Sequence, residues 1–169
     1  MQLTCALLRA PSAVASSKVF NAKTNAGATA LSLAASKGRE EALAALLEAR
    51  GGSAADGTPL GHPIKLNVAD RNGLTAMHRA AMAGRAACVR MLLDAGADPE
   101  RTDATGHTVL AAAAEAKEQS VVSLLLEWGA DPGRANDDGA TPAALALPDE
   151  LLAQIIVDAQ RSRGEAPPR

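Results

Sequence analysis

A Gly-x-Thr signature that recurs at a fixed interval constrains this 169-residue chain more than anything else in it. The signature opens at Gly73 and Thr75, and again at Gly106 and Thr108 and at Gly139 and Thr141, in steps of 33 residues (106−73 and 139−106). An earlier copy opens at Gly27 and Thr29. Behind the first three copies come an Ala pair and a Leu pair: Ala34-Ala35 and Leu46-Leu47, Ala80-Ala81 and Leu92-Leu93, Ala113-Ala114 and Leu125-Leu126. A period of this length marks a solenoid, whose units bury their apolar faces only against one another. Such chains mostly present surfaces to partners.

Each conserved spacing has a physical reason. Gly73, Gly106 and Gly139 fall in a turn where a positive φ is expected, and a Cβ is costly there. Thr75, Thr108 and Thr141 precede helical runs whose first N–H groups a hydroxyl can cap. The Ala pairs let a first helix approach its neighbours closely. Val89, Leu92 and Leu93 form the apolar stripe of an amphipathic second helix, and Gly96 and Gly129 end such helices in a left-handed cap. Each unit reads as turn, short helix, reverse turn, longer helix.

Composition agrees with close helix packing. Apolar residues make up 47% of the chain, but Ala and Leu carry them, with Phe20 and Trp128 the sole aromatics. The net charge of −2 gives no reason to expect nucleic-acid binding, though residues 1–39 carry five basic and no acidic residues. Cys5 and Cys88 are too few and too distant for a disulfide framework or zinc site, so a reducing compartment is the default. No apolar run approaches the ~18 residues of a membrane span.

Over roughly residues 18–160 the units resemble ankyrin repeats. The second is the best match, running from Asp70-Arg71-Asn72-Gly73 through Thr75, His78 and Ala80-Ala81 to Leu92-Leu93 and Gly96-Ala97-Asp98, with Ala76 in place of the family's Pro. The third has Val109 for that Pro, Ala111 for the His and Lys117 for the inter-helix Gly. In the first, Arg50 takes the terminal Gly position, with Gly51-Gly52 just beyond. The fourth keeps Thr141-Pro142 but meets Pro148, which ends its first helix early and can open the next at its first turn. The resemblance implies an all-α, ankyrin-type helix-turn-helix solenoid of about four repeats with a C-terminal capping helix. Its units are placed at about 21–52, 67–99, 100–132 and 133–160, followed by a flexible tail at 161–169.

The step from Gly27 to Gly73 is 46 residues, so about 13 are inserted, in a loop placed at 53–66 that is either functional or a tolerated surface insertion. Residues 1–20 have two readings. They are a degenerate helical cap, the favoured one, or a basic, Ser/Ala-rich transit peptide for a plastid or mitochondrion. Their apolar start at 1–8 is too short for a secretory signal. With the cap reading the chain is cytoplasmic or nuclear.

Candidate chemistry is sparse. His62, His78 and His107 share no ligand spacing with the cysteines; His78 suits structural hydrogen bonds near its helix start, and His62 and His107 are expected to be solvated. Cys88 reads as a small core residue, and the pairs Glu40-Glu41 and Asp137-Asp138 as a solvated helix start and a turn. No phosphate-binding loop, catalytic triad, metal site or cofactor is expected, and no enzyme activity.

The resemblance implies binding through turn tips and the exposed face of the first helices. That surface takes in Asn25, Ala28, Ser36 and Lys37 in the first unit, and Arg71, Asn72, Leu74 and Met82 in the second. Thr105, His107 and Glu115 continue it, then Asp137, Asp138 and Ala140. Trp128 is either an exposed anchor for a partner or packed between units. Asn21 and Asn67 stand where some family members are hydroxylated, with a structural hydrogen bond as the plainer role. The expectation is a monomeric adaptor or scaffold for a protein partner, without nucleic-acid, membrane or small-molecule ligands. The alternative is a recognition subunit of a ligase, kinase or protease assembly.

Overall fold

The computed structural model describes residues 21–51 and 64–164. The N-terminal segment, His62, most of the inserted loop and the last five residues lie outside that range.

Among the described residues eight helices follow in pairs: α1 (Ala30–Ser36) and α2 (Glu40–Gly51), α3 (Ala76–Met82) and α4 (Ala86–Asp94), α5 (Val109–Glu115) and α6 (Gln119–Trp128), α7 (Pro142–Ala146) and α8 (Glu150–Gly164). The first helices α1, α3, α5 and α7 pack side by side in one row, and α2, α4, α6 and α8 form the second row. The described residues contain no strand, only an isolated bridge between Thr102 and Thr108.

The repeated Thr starts each first helix. Thr29, Thr75, Thr108 and Thr141 are N-caps whose hydroxyls accept the N–H of Ser32, His78, Ala111 and Ala144. In α1 the Ser32 hydroxyl also accepts the Thr29 N–H, closing a capping box. The Ala pairs do what their size suggests: Ala35, Ala80, Ala81, Ala113 and Ala114 are fully buried between neighbouring first helices. Leu43, Val89, Leu92, Val121 and Leu125 bury the stripe of the second helices. Leu152 and Ile156 on α8 close the described stack at its C-terminal end.

Two expectations are corrected at that end. Pro148 does not open α8; the helix starts at Glu150, and Asp149 caps it by accepting the Leu152 N–H at 3.1 Å. Nor does the tail begin at 161. The helix runs to Gly164, with Arg161 and Arg163 at the end where the macrodipole favours cations.

Lys117 shows what the missing inter-helix glycine implied. Its φ is 62°, beside 66° at Gly84 in the preceding unit, so the backbone keeps its left-handed turn and Lys117 carries the strain.

Candidate protein-binding surface

The tips that precede the first helices are built alike. Asp70, Asp103 and Asn136 each use Oδ1 to accept two backbone N–H groups of their own tip. The donors are Asn72 and Leu74, Thr105 and His107, and Asp138 and Ala140, at 2.8–3.1 Å. In the first unit Thr24 takes this role, its hydroxyl accepting the Ala28 N–H at 3.1 Å. A short polar side chain that accepts from N–H groups two and four residues on, as at Asp70, Asp103 and Asn136, suits an Asx-type turn.

One backbone bond then joins each tip to the next. Arg71 N–H donates to Ala26 O at 3.4 Å, Ala104 to Asn72 O at 3.0 Å, and Asp137 to Thr105 O at 3.2 Å. The turn glycine permits this approach. A Cβ on Gly73, whose φ is 77°, would collide with the backbone of Asp103 and Ala104. Behind the tips, a second set of ties has Asn21, Asn67 and Glu100 accepting the N–H of Lys65, Asp98 and Asp131. These span 44 residues at the first junction and 31 at the other two. The 13 extra residues therefore leave the stacking register unchanged.

On this frame Asn25, Lys37, Arg71, Asn72, Thr105, Glu115, Asp137 and Asp138 are exposed. Met82 is 45% exposed at the end of α3, whereas Leu74, Ser36 and Ala140 are half-buried. Trp128 is 43% exposed, but it ends α6 in the second row, apart from the tips. Ala28 is corrected: it is 4% exposed and belongs to the core.

His107 is corrected too. Its side chain is 15% exposed and enclosed by polar partners, not solvated. Nδ1 lies 2.7 Å from Thr105 Oγ1, whose hydroxyl donates to Asp103 Oδ1 at 2.9 Å. Nε2 lies 2.9 Å from Asn136 Nδ2 in the next unit. Nothing in the spacing signals this pairing, since it joins residues 29 apart through a tip unlike the family pattern.

His78 is structural, as read. It is fully buried, with Nδ1 2.9 Å from Thr75 Oγ1 and Nε2 3.1 Å from the His107 carbonyl. Burial depresses its pKa, since the charged ring would lose its hydration; the His107 carbonyl offsets this in part. Asp70 pairs with Arg79, whose Nε donates to Oδ2 at 2.9 Å and whose Nη2 closes the same ion pair. Burial pushes the Asp70 carboxyl up, but Arg79 and the N–H groups of Asn72 and Leu74 outweigh it and hold the pKa low. Asp103 is likewise held low: burial raises it, and the bonds from Thr105 and His107 prevail.

Sequence reasoning overlooked Leu33, 42% exposed on α1. The signal was available, because Leu33 stands at the register position of the charged Arg79, whose side chain is partly exposed. Cys88 is buried on α4, and burial pushes its thiol up. Among the described residues no cluster of three His, Cys, Asp or Glu could hold a metal ion, and no helix is long and apolar enough to cross a membrane.

Paired helices stacked in two rows, with a hydrogen-bonded line of tips along one side, define a helical repeat solenoid. The chain belongs to the ankyrin-repeat family: the family model for ankyrin repeats (3 copies) matches residues 6–103 and 60–136. Members of this family are generally protein–protein interaction modules. No curated protein matches the chain.

Proposed function

We propose that this protein is an adaptor that holds a protein partner along its line of tips and the adjoining exposed face of the first helices. The observation that carries the reading is the tip-to-tip ladder, which keeps Asn25, Arg71, Asn72, Thr105, Asp137 and Asp138 exposed on a preformed frame. Such a frame loses little conformational entropy on binding. Charge changes along it, from Lys23 and Arg71 to Asp137 and Asp138, so the partner has its acidic part near the first two units. Asn21 and Asn67 accept backbone N–H bonds, which supports a structural role ahead of hydroxylation.

Affinity capture with mass spectrometry tests the reading. It compares wild type with Arg71→Glu/Asp137→Lys and with Arg90→Glu, an exposed change on the second row, after circular dichroism confirms the fold. A partner held by wild type and Arg90→Glu but lost by the tip variant is the expected result. A partner retained by the tip variant, or no specific partner of wild type, would overturn it.

A further inference from the structure

The His107–Asn136 contact, which with the Arg134–Glu100 pair links the third and fourth units, has its protonation state written into its hydrogen bonds. Asn136 Oδ1 accepts from the Asp138 and Ala140 N–H groups, which fixes the amide and turns its Nδ2 toward His107. An amide nitrogen only donates, so His107 Nε2 must accept. The proton of the neutral ring then sits on Nδ1 and is donated to Thr105 Oγ1, whose own hydrogen goes to the Asp103 carboxylate. Every member has one permitted role, and a second proton on the ring has no acceptor at Nε2.

We propose that His107 and Asn136 form a proton-operated latch between the third and fourth units. With a neutral ring it is closed, and a proton on Nε2 opens it by setting donor against donor.

The titratable groups near the ring come from its own tip, from the fourth unit and from α3. Asp103 Oδ1 is 3.6 Å from Nδ1. From the fourth unit, the Asp137 carboxylate lies against Gly106, where it would meet an added Cβ, and Asp138 follows it. From α3, His78 accepts the Thr75 N–H at Nδ1 and donates from Nε2 to the His107 carbonyl. A proton on Nε2 breaks the contact with Asn136 and leaves the backbone tie from Asp137 N–H to Thr105 O, with the Arg134–Glu100 pair, to join the two units. The opened element comprises the fourth tip, α7 and α8.

The latch stands independently of the adaptor reading, and its test needs no partner. Amide hydrogen exchange by NMR on the full chain, corrected for intrinsic rates, compares α7 and α8 with α3 and α4 at about pH 7.5 and about pH 5.5. In wild type, protection of α7 and α8 falls about tenfold relative to α3 and α4 in acid, the scale of one lost hydrogen bond. His107→Gln, which does not titrate, abolishes the change. Asn136→Asp reverses it: a carboxylate keeps the two N–H bonds, as Asp70 and Asp103 do, and accepts the Nε2 proton. This variant decides the matter even if His107→Gln folds poorly. Nitrogen spectra at neutral pH should show the proton on Nδ1. A proton on Nε2 there, an equal ratio at both pH values in wild type, or the wild-type response in Asn136→Asp would overturn the latch.

Discussion

The second and third units solve the same problem in different places. Each must tie itself to the next unit through a polar group that survives burial. In the second, the tie comes from the helix: His78 on α3 reaches the His107 carbonyl, and Asp70 in the tip is clamped to Arg79 on the same helix. In the third, α5 is apolar from Val109 to Ala114 and fully packed, with Ala111 where His78 would be. Its histidine tie lies in the tip instead, as the contact of His107 with Asn136. A buried tie holds one protonation state by excluding water. The tie at the tip, between a buried Asn136 and a His107 side chain 15% exposed, holds it through its hydrogen-bond partners.

Breaking the helix-borne tie should have the largest effect. His78→Ala leaves the His107 carbonyl without its donor and opens a cavity, costing about 2–3 kcal/mol by urea unfolding. The same residue sets a pH dependence. Its folded pKa is depressed, so its contribution is fully present above the ordinary histidine value of about 6.5 and is lost as pH falls below it. His78→Gln should remove that part of the pH–stability curve, whichever way unit four behaves.

Asp70→Asn comes next, because it makes the second tip resemble the fourth. The turn bonds persist and the Arg79 pair is lost, at about 1 kcal/mol after allowing for the partial exposure of Arg79. Since the Asp70 pKa is held low, its contribution is present above the ordinary aspartate value of about 3.9 and disappears below it. The variant should therefore lose less stability than wild type on acidification through that range.

Lys117→Gly sharpens the comparison from the other side by giving the third unit the inter-helix residue of the second. Relief of the left-handed strain, less the added freedom of the unfolded chain, should raise stability by up to about 1 kcal/mol, read as a higher melting temperature. The smallest change is Ala111→Ser, which gives α5 the capping box of α1. A gain of about 0.5 kcal/mol in urea unfolding is expected.

The repeat was legible because it is local. The positive φ at Gly73, the Thr75 cap, the buried Ala80-Ala81 and the Val89–Leu93 stripe depend on residues within one unit, and each stands where its spacing placed it. Asn25, Arg71, Asn72 and Asp137 were legible as exposed for the same reason. His107 was misplaced because its partner is 29 residues away. The end of α8 was missed because spacing within the helix does not mark where it stops.

What the sequence determined by itself was therefore the unit and its period: which residues turn, which cap and which face inward. Those follow from backbone sterics and apolar spacing over a few residues. Only the tertiary structure decided how one unit holds the next: that 13 extra residues leave the register intact, that Asp70 takes Arg79, and that His107 meets Asn136. Those contacts exist only once two units are stacked, and hydrogen-bond direction is set by where the donors and acceptors then lie.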